Sequence, residues 1–181
     1  TIHVDRKVTV SGKGSVRLDT PASLGKKNPT NRNYATPEII RPLDREDVRE
    51  YNRFSVWVYV DAPGVYLTFA GFTLYNEGEK IMPTPGRFEG QHFETVYPNK
   101  WQHIIWEIPD LYRDCVTGFS VNIMLAGAPA GASEHMSLYI DDMRIEKVEA
   151  ENSRGFDLRK DAMAYCHSGY KPGARKQALV Q

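Results

Sequence analysis

The feature that most constrains this chain is a hydrophobic repeat of two that recurs along its length. In RFSVWVYV, Phe54, Val56, Val58 and Val60 alternate with Ser55, Trp57 and Tyr59. A strand turns successive side chains to opposite faces, so this segment reads as a strand with an aliphatic core face and an aromatic second face. In WQHIIWEI, Ile104, Trp106 and Ile108 oppose Trp101, His103, Ile105 and Glu107; in GFSVNIML, Phe119, Val121, Ile123 and Leu125 oppose Ser120, Asn122 and Met124. YLTFAGFTLY and EHMSLYIDDMRIEKVE extend the set, and TIHVDRKVTV SGKGSVRLDT reads as a strand, a glycine turn and a strand. PASLGKKNPTNRN, rich in Pro, Gly and Asn, reads as a long surface loop, and RPLDREDVREYN as one helical turn capped by Asp44. Roughly eight to nine short strands with no helix–strand alternation exclude a parallel α/β sheet. The expected fold is all-β, an antiparallel β-sandwich of jelly-roll type.

Composition narrows function more than fold. With 181 residues, the chain is one domain plus a short appendage. At 41% hydrophobic and 25% charged it can bury a core. Lys+Arg 23 against Asp+Glu 23 leaves no net charge, which disfavours a nucleic-acid partner. No apolar run approaches the roughly 20 residues of a membrane span, and the opening residues carry no apolar core of a signal peptide. No membrane partner is expected. Cys115 and Cys166 are too few for a disulfide scaffold; two free thiols and a single bridge both stay open. The 3 Trp, 10 Tyr and 7 Phe suit a β-rich body.

Composition changes after Val148. Residues 1–148 form the sandwich; residues 149–181 begin as a polar linker and end in the first strand or strands of a truncated following domain. GKGSVRL, WQHIIWEIPDL and LYIDDMRIE together resemble the galactose-binding-like jelly rolls of carbohydrate-binding modules. The tail AYCHSGYKPGARKQALV is similar to the opening of the immunoglobulin-like domain that precedes the catalytic domain in many cellulase-type glycoside hydrolases, through Gly169, Tyr170, Pro172, Lys176 and Ala178. It departs from that pattern at Cys166, His167 and Ser168. The resemblance implies a non-catalytic module of a secreted, cell-surface or periplasmic bacterial enzyme. Its partners would be a polysaccharide, with β-glucan or xylan favoured, and downstream immunoglobulin-like and catalytic domains of the same polypeptide. A monomer is expected. The resemblance also implies a structural Ca²⁺ at Asp141 and Asp142, with carbonyls of the SGKG loop as partners.

Sugar binding needs flat aromatic faces for C–H surfaces and planar polar side chains for hydroxyls. The strand phases offer Trp57, Tyr59, His103, Glu107 and Asn122 as one such sheet surface. The stretch IMPTPGRFEGQHFETVYPNKW offers a second wall with Arg87, Gln91, His92 and Trp101. Two other readings stand beside binding. The domain is a structural spacer packed on its catalytic neighbour, or it is a polysaccharide lyase in which His92 abstracts a proton and Gln91 or Arg87 neutralises the substrate carboxylate. The five histidines show no zinc-binding spacing, and no nucleophile elbow or phosphate loop is present. No organic cofactor and no catalytic residue are therefore expected.

Overall fold

The computed structural model describes residues 1–22, 36–80, 88–109, 111–127 and 132–149, with 163–164, 173 and 179–180 beyond them. Nine strands build two antiparallel sheets: β1 (Ile2–Asp5), β2 (Ser15–Pro21), β3 (Glu38–Glu46), β4 (Arg53–Asp61), β5 (Leu67–Asn76), β6 (Phe88–Val96), β7 (Gln102–Glu107), β8 (Val116–Gly127) and β9 (His135–Glu146). One sheet has the order β1-β2-β9-β4-β7 and the other β3-β8-β5-β6. The chain crosses between sheets at most connections, and among the described residues no helix is formed. This is the antiparallel sandwich that the repeat of two requires.

The alternation places each strand's faces as expected. Phe54, Val56, Val58 and Val60 are almost fully buried, as are Ile104, Trp106 and Ile108 on β7 and Phe119, Val121, Ile123 and Leu125 on β8. Phe54 links the two layers: its ring stacks on Phe119 at 5.1 Å and meets Phe72 at 5.7 Å.

Three local expectations change. Asp44 does not cap a helical turn; it lies inside β3, an edge strand whose register shifts between Pro42 and Glu46, with Arg45 at φ 53°. Here pairing with β8 outweighs the helix-favouring charges. Val8 and Val10 lie outside both flanking strands, in the loop that joins them. The stretch carrying Gln91 and His92 is strand β6 rather than a loop. Beyond the sandwich, β10 (Met163–Ala164) pairs with β11 (Leu179–Val180). Val148, where composition changes, is held to β4's approach by paired hydrogen bonds with the Asn52 side chain, while linker residues 150–162, Cys166, and Gly169, Tyr170, Pro172, Lys176 and Ala178 of the tail motif lie outside the described residues.

Candidate functional site

The two sheets back onto one core, so their outer faces look in opposite directions, and this separates the sequence-derived candidates. Trp57, Tyr59, Trp101, His103 and Glu107 lie on the outer face of the five-stranded sheet, through β4 and the start and length of β7. Asn122 and Gln91 lie on the outer face of the four-stranded sheet. The single surface expected for Trp57, Tyr59, His103, Glu107 and Asn122 is therefore corrected to two. His92 faces neither surface. Its ring lies between Phe72 at 6.1 Å and Trp106 at 6.0 Å, closing the core where the edge strands β6 and β7 approach, and its Nε2 is 3.3 Å from Glu94. Arg87 lies outside the described residues.

On the five-stranded face the rings are largely committed to each other. Trp57 stacks on His103 at 4.9 Å and 20°. Tyr59 meets Trp101 at 5.6 Å and the edge of Tyr139 at the same distance. Glu107 accepts a hydrogen bond from Arg53 at 2.8 Å.

On the four-stranded face the register sets Glu38, Asn122, Gly71 and Phe93 in one row across all four strands. The adjacent row is Ile40, Ser120, Thr73 and Gln91. Gly71 makes the first row work. A Cβ there would lie 2.5 Å from Asn122 Oδ1 and 2.9 Å from the Phe93 ring, so only glycine lets the amide and the ring settle over β5. Asn122 is 8% exposed, and its Oδ1 is buried without a hydrogen-bond partner among the described residues. A buried carbonyl left unpaired costs about 1–3 kcal/mol, which a ligand donor would recover. Beside it Phe93 is 49% exposed, a half-open aromatic surface.

Polar groups around this pair are held in place. Tyr75 Oη and Ser120 Oγ both donate to Glu38 Oε1, at 2.7 and 2.5 Å. Gln91 Nε2 donates to Thr73 Oγ1 at 3.3 Å. Ile40 and Met124 add exposed apolar surface to the same face. Of this set, sequence reasoning selected Gln91 and Asn122 and missed Phe93, Tyr75, Glu38 and Gly71. A glycine at the centre of an otherwise bulky strand, LTFAGFTLYN, is the one signal that pointed to the row.

Asp141 serves the fold. Its Oδ2 accepts hydrogen bonds from Thr9 Oγ1, Val10 N and Ser11 N at 2.7–2.9 Å, and its Oδ1 from Ser11 Oγ at 2.9 Å and Asp142 N at 2.8 Å. Burial pushes its pKa up, but the donors of Ser11, Thr9 and Val10 outweigh this and hold it below the usual carboxylate value. The loop thus presents donors, where Ca²⁺ would need oxygens, and this geometry does not fit that ion. Among the described residues no three acidic, His or Cys side chains converge.

No protein-family model matches the chain, and no curated protein matches it. Solved structures do. The CBM22-2 xylan-binding domain of Paenibacillus barcinonensis Xyn10C is 12% identical, with 82% of this chain and 87% of that chain covered, at a TM-score of 0.45. A family 30 carbohydrate-binding module is 16% identical over 87% of this chain and 79% of that chain, at 0.49. The C-terminal family 22 carbohydrate-binding module of Clostridium thermocellum Xyn10B is 19% identical over 82% and 83%, at 0.42.

Proposed function

We propose that this chain is a non-catalytic carbohydrate-binding module that holds a polysaccharide on the outer face of its four-stranded sheet. The observation that carries the reading is the buried, unpartnered Asn122 carbonyl set beside the exposed Phe93 ring over Gly71. A pyranose places its C–H face on the ring and a hydroxyl hydrogen on the amide oxygen; Glu38 and Gln91 take further hydroxyls. Nothing in this assignment breaks a bond. The tail motif favours β-glucan or xylan as the polymer and a secreted bacterial glycoside hydrolase as the host, where a tethered module raises the local concentration of its catalytic partner.

The test is affinity electrophoresis and calorimetry against soluble β-glucan, xylan, mannan and pectin, with the products assayed for new reducing or unsaturated ends. Retention without new ends is expected. Phe93→Ala and Asn122→Ala should each weaken it at least tenfold. Asn122→Ala should leave the melting temperature unchanged or raise it, because it removes an unsatisfied buried group worth about 1 kcal/mol or more. No retention on any polymer would leave the structural spacer, and unsaturated ends would establish the lyase.

A further inference from the structure

A cleft of about 580 Å³ lies on the opposite side of the sandwich from the Asn122–Phe93 face, where β2, β9 and β4 meet at one end of the five-stranded sheet. Its floor is a single row of the register, Asp19 beside Ser137 beside Asp61. The row two residues further along the strands holds Arg17, Tyr139 and Tyr59, and the Tyr59 ring leads on to Trp101. A band of rings thus runs parallel to a band of oxygens, about 7 Å away along the strands.

The oxygen band is fixed before any ligand arrives. Arg17 Nε and Ser137 Oγ donate to Asp19 Oδ1 at 2.7 and 2.6 Å, Arg17 Nη2 donates to Ser137 Oγ at 3.3 Å, and the guanidinium lies 5.2 Å over the Tyr139 ring. Those contacts commit the arginine to the protein. Uncommitted groups remain: the Asp61 carboxylate and the His135 ring line the cleft and make no hydrogen bond among the described residues. Tyr139 is 3% exposed, and its hydroxyl has no partner among the described residues. Burial pushes that hydroxyl's pKa up; Arg17 opposes and the carboxylates of Asp5, Asp61 and Asp19 add to the rise, so it stays a neutral phenol able to donate.

We infer that this cleft is a second saccharide site, seating a short stretch of a neutral, hydroxyl-rich glycan whose hydroxyls meet Asp61, Asp19 and His135 and whose chain runs on along the strands past the cleft's own lining to the outer edges of the Tyr59 and Trp101 rings. The open groups are an acceptor at Asp61, a donor at Tyr139 and a ring at His135 that can serve as either, so the ligand must bring donors and acceptors together, and a sugar chain supplies both in each hydroxyl along with apolar ring faces. The volume lies within the roughly 300–1,000 Å³ of small-molecule sites. Two sites on opposite faces make one module able to bridge two polymer strands, a gain in avidity without any new contact.

Calorimetry of the full chain with cellohexaose, xylohexaose and mannohexaose tests this. Two sites are expected for at least one hexaose. Asp61→Ala should reduce them to one, Phe93→Ala should also leave one, and the double variant should bind none; His135→Ala, weakening the same cleft, serves if Asp61→Ala melts early. A single site that Phe93→Ala removes, with Asp61→Ala and His135→Ala both silent, overturns the second site and keeps the first. A single site lost only with Asp61→Ala upholds this cleft and overturns the four-stranded face. No binding of any hexaose overturns both.

Discussion

At the scale of single residues, Gly71 decides whether the four-stranded face can bind. Its missing side chain is what lets Asn122 and Phe93 approach one another across β5, and the atoms a methyl would strike belong to those two side chains. Gly71→Ala therefore strains the site more than the sheet, whose backbone pairing on both sides of Gly71 is unaffected by a Cβ. The expected result is at least a tenfold loss of glycan affinity with the melting temperature lowered by no more than a few degrees, equivalent to about 1 kcal/mol. A variant that binds as well as the parent would mean the Asn122–Phe93 pair is not the contact. Strand phase singled out Asn122 as an outward-facing polar residue, but its pairing with Phe93 over Gly71 was not legible: an unpaired carbonyl is a property of what surrounds Asn122.

At the scale of elements, the repeat of two was fully informative about faces. It separated Trp106, 4% exposed in the core, from Trp57, half-buried on an outer face against His103. The two tryptophans should differ accordingly. Trp106→Ala opens a cavity against His92 and is expected to cost about 3–5 kcal/mol. Trp57→Ala loses one ring stack and partial burial, about 1–2 kcal/mol. Denaturant midpoints of the two variants check this, and an inverted order would place β4 and β7 one residue out of register. Where the repeat is interrupted the reading failed. The run Leu43–Asp44–Arg45–Glu46 carries three charges in succession and looks helical, yet as an edge strand β3 leaves those charges in water and needs only one partner.

At the scale of the whole molecule, what sequence could not reveal is which strands share a sheet. Alternation sorts inside from outside within each strand; pairing joins Trp57 to His103 on one sheet and Asn122 to Gly71 on the other, a fact settled only when the strands assemble. Three of the joins between these elements are made by carboxylates, and this shapes how the fold responds to acid. Asp141 ties the 9–11 loop to β9. Asp114 anchors the turn after β5: the Asn76 amide lowers its pKa most, burial opposes, and the backbone N–H of Glu79 lowers it further. For Asp19, burial raises the pKa, while Ser137 and Arg17 together bring it below the usual carboxylate value. In each case the folded pKa is depressed, so the stabilisation is complete above the unfolded value near 3.9 and is lost as pH falls through the lower folded value. Melting temperature should then fall steeply below about pH 4. Asp141→Asn separates this cause from general acid denaturation. It should cost about 2–3 kcal/mol at pH 7, where the charged acceptor holds five donors, and the gap to the parent should begin to close below about pH 4 and vanish only as pH falls through the depressed folded pKa, where the parent's own carboxylate becomes protonated. A gap that stays constant from pH 7 to pH 2 would assign the loss at Asn to geometry rather than charge.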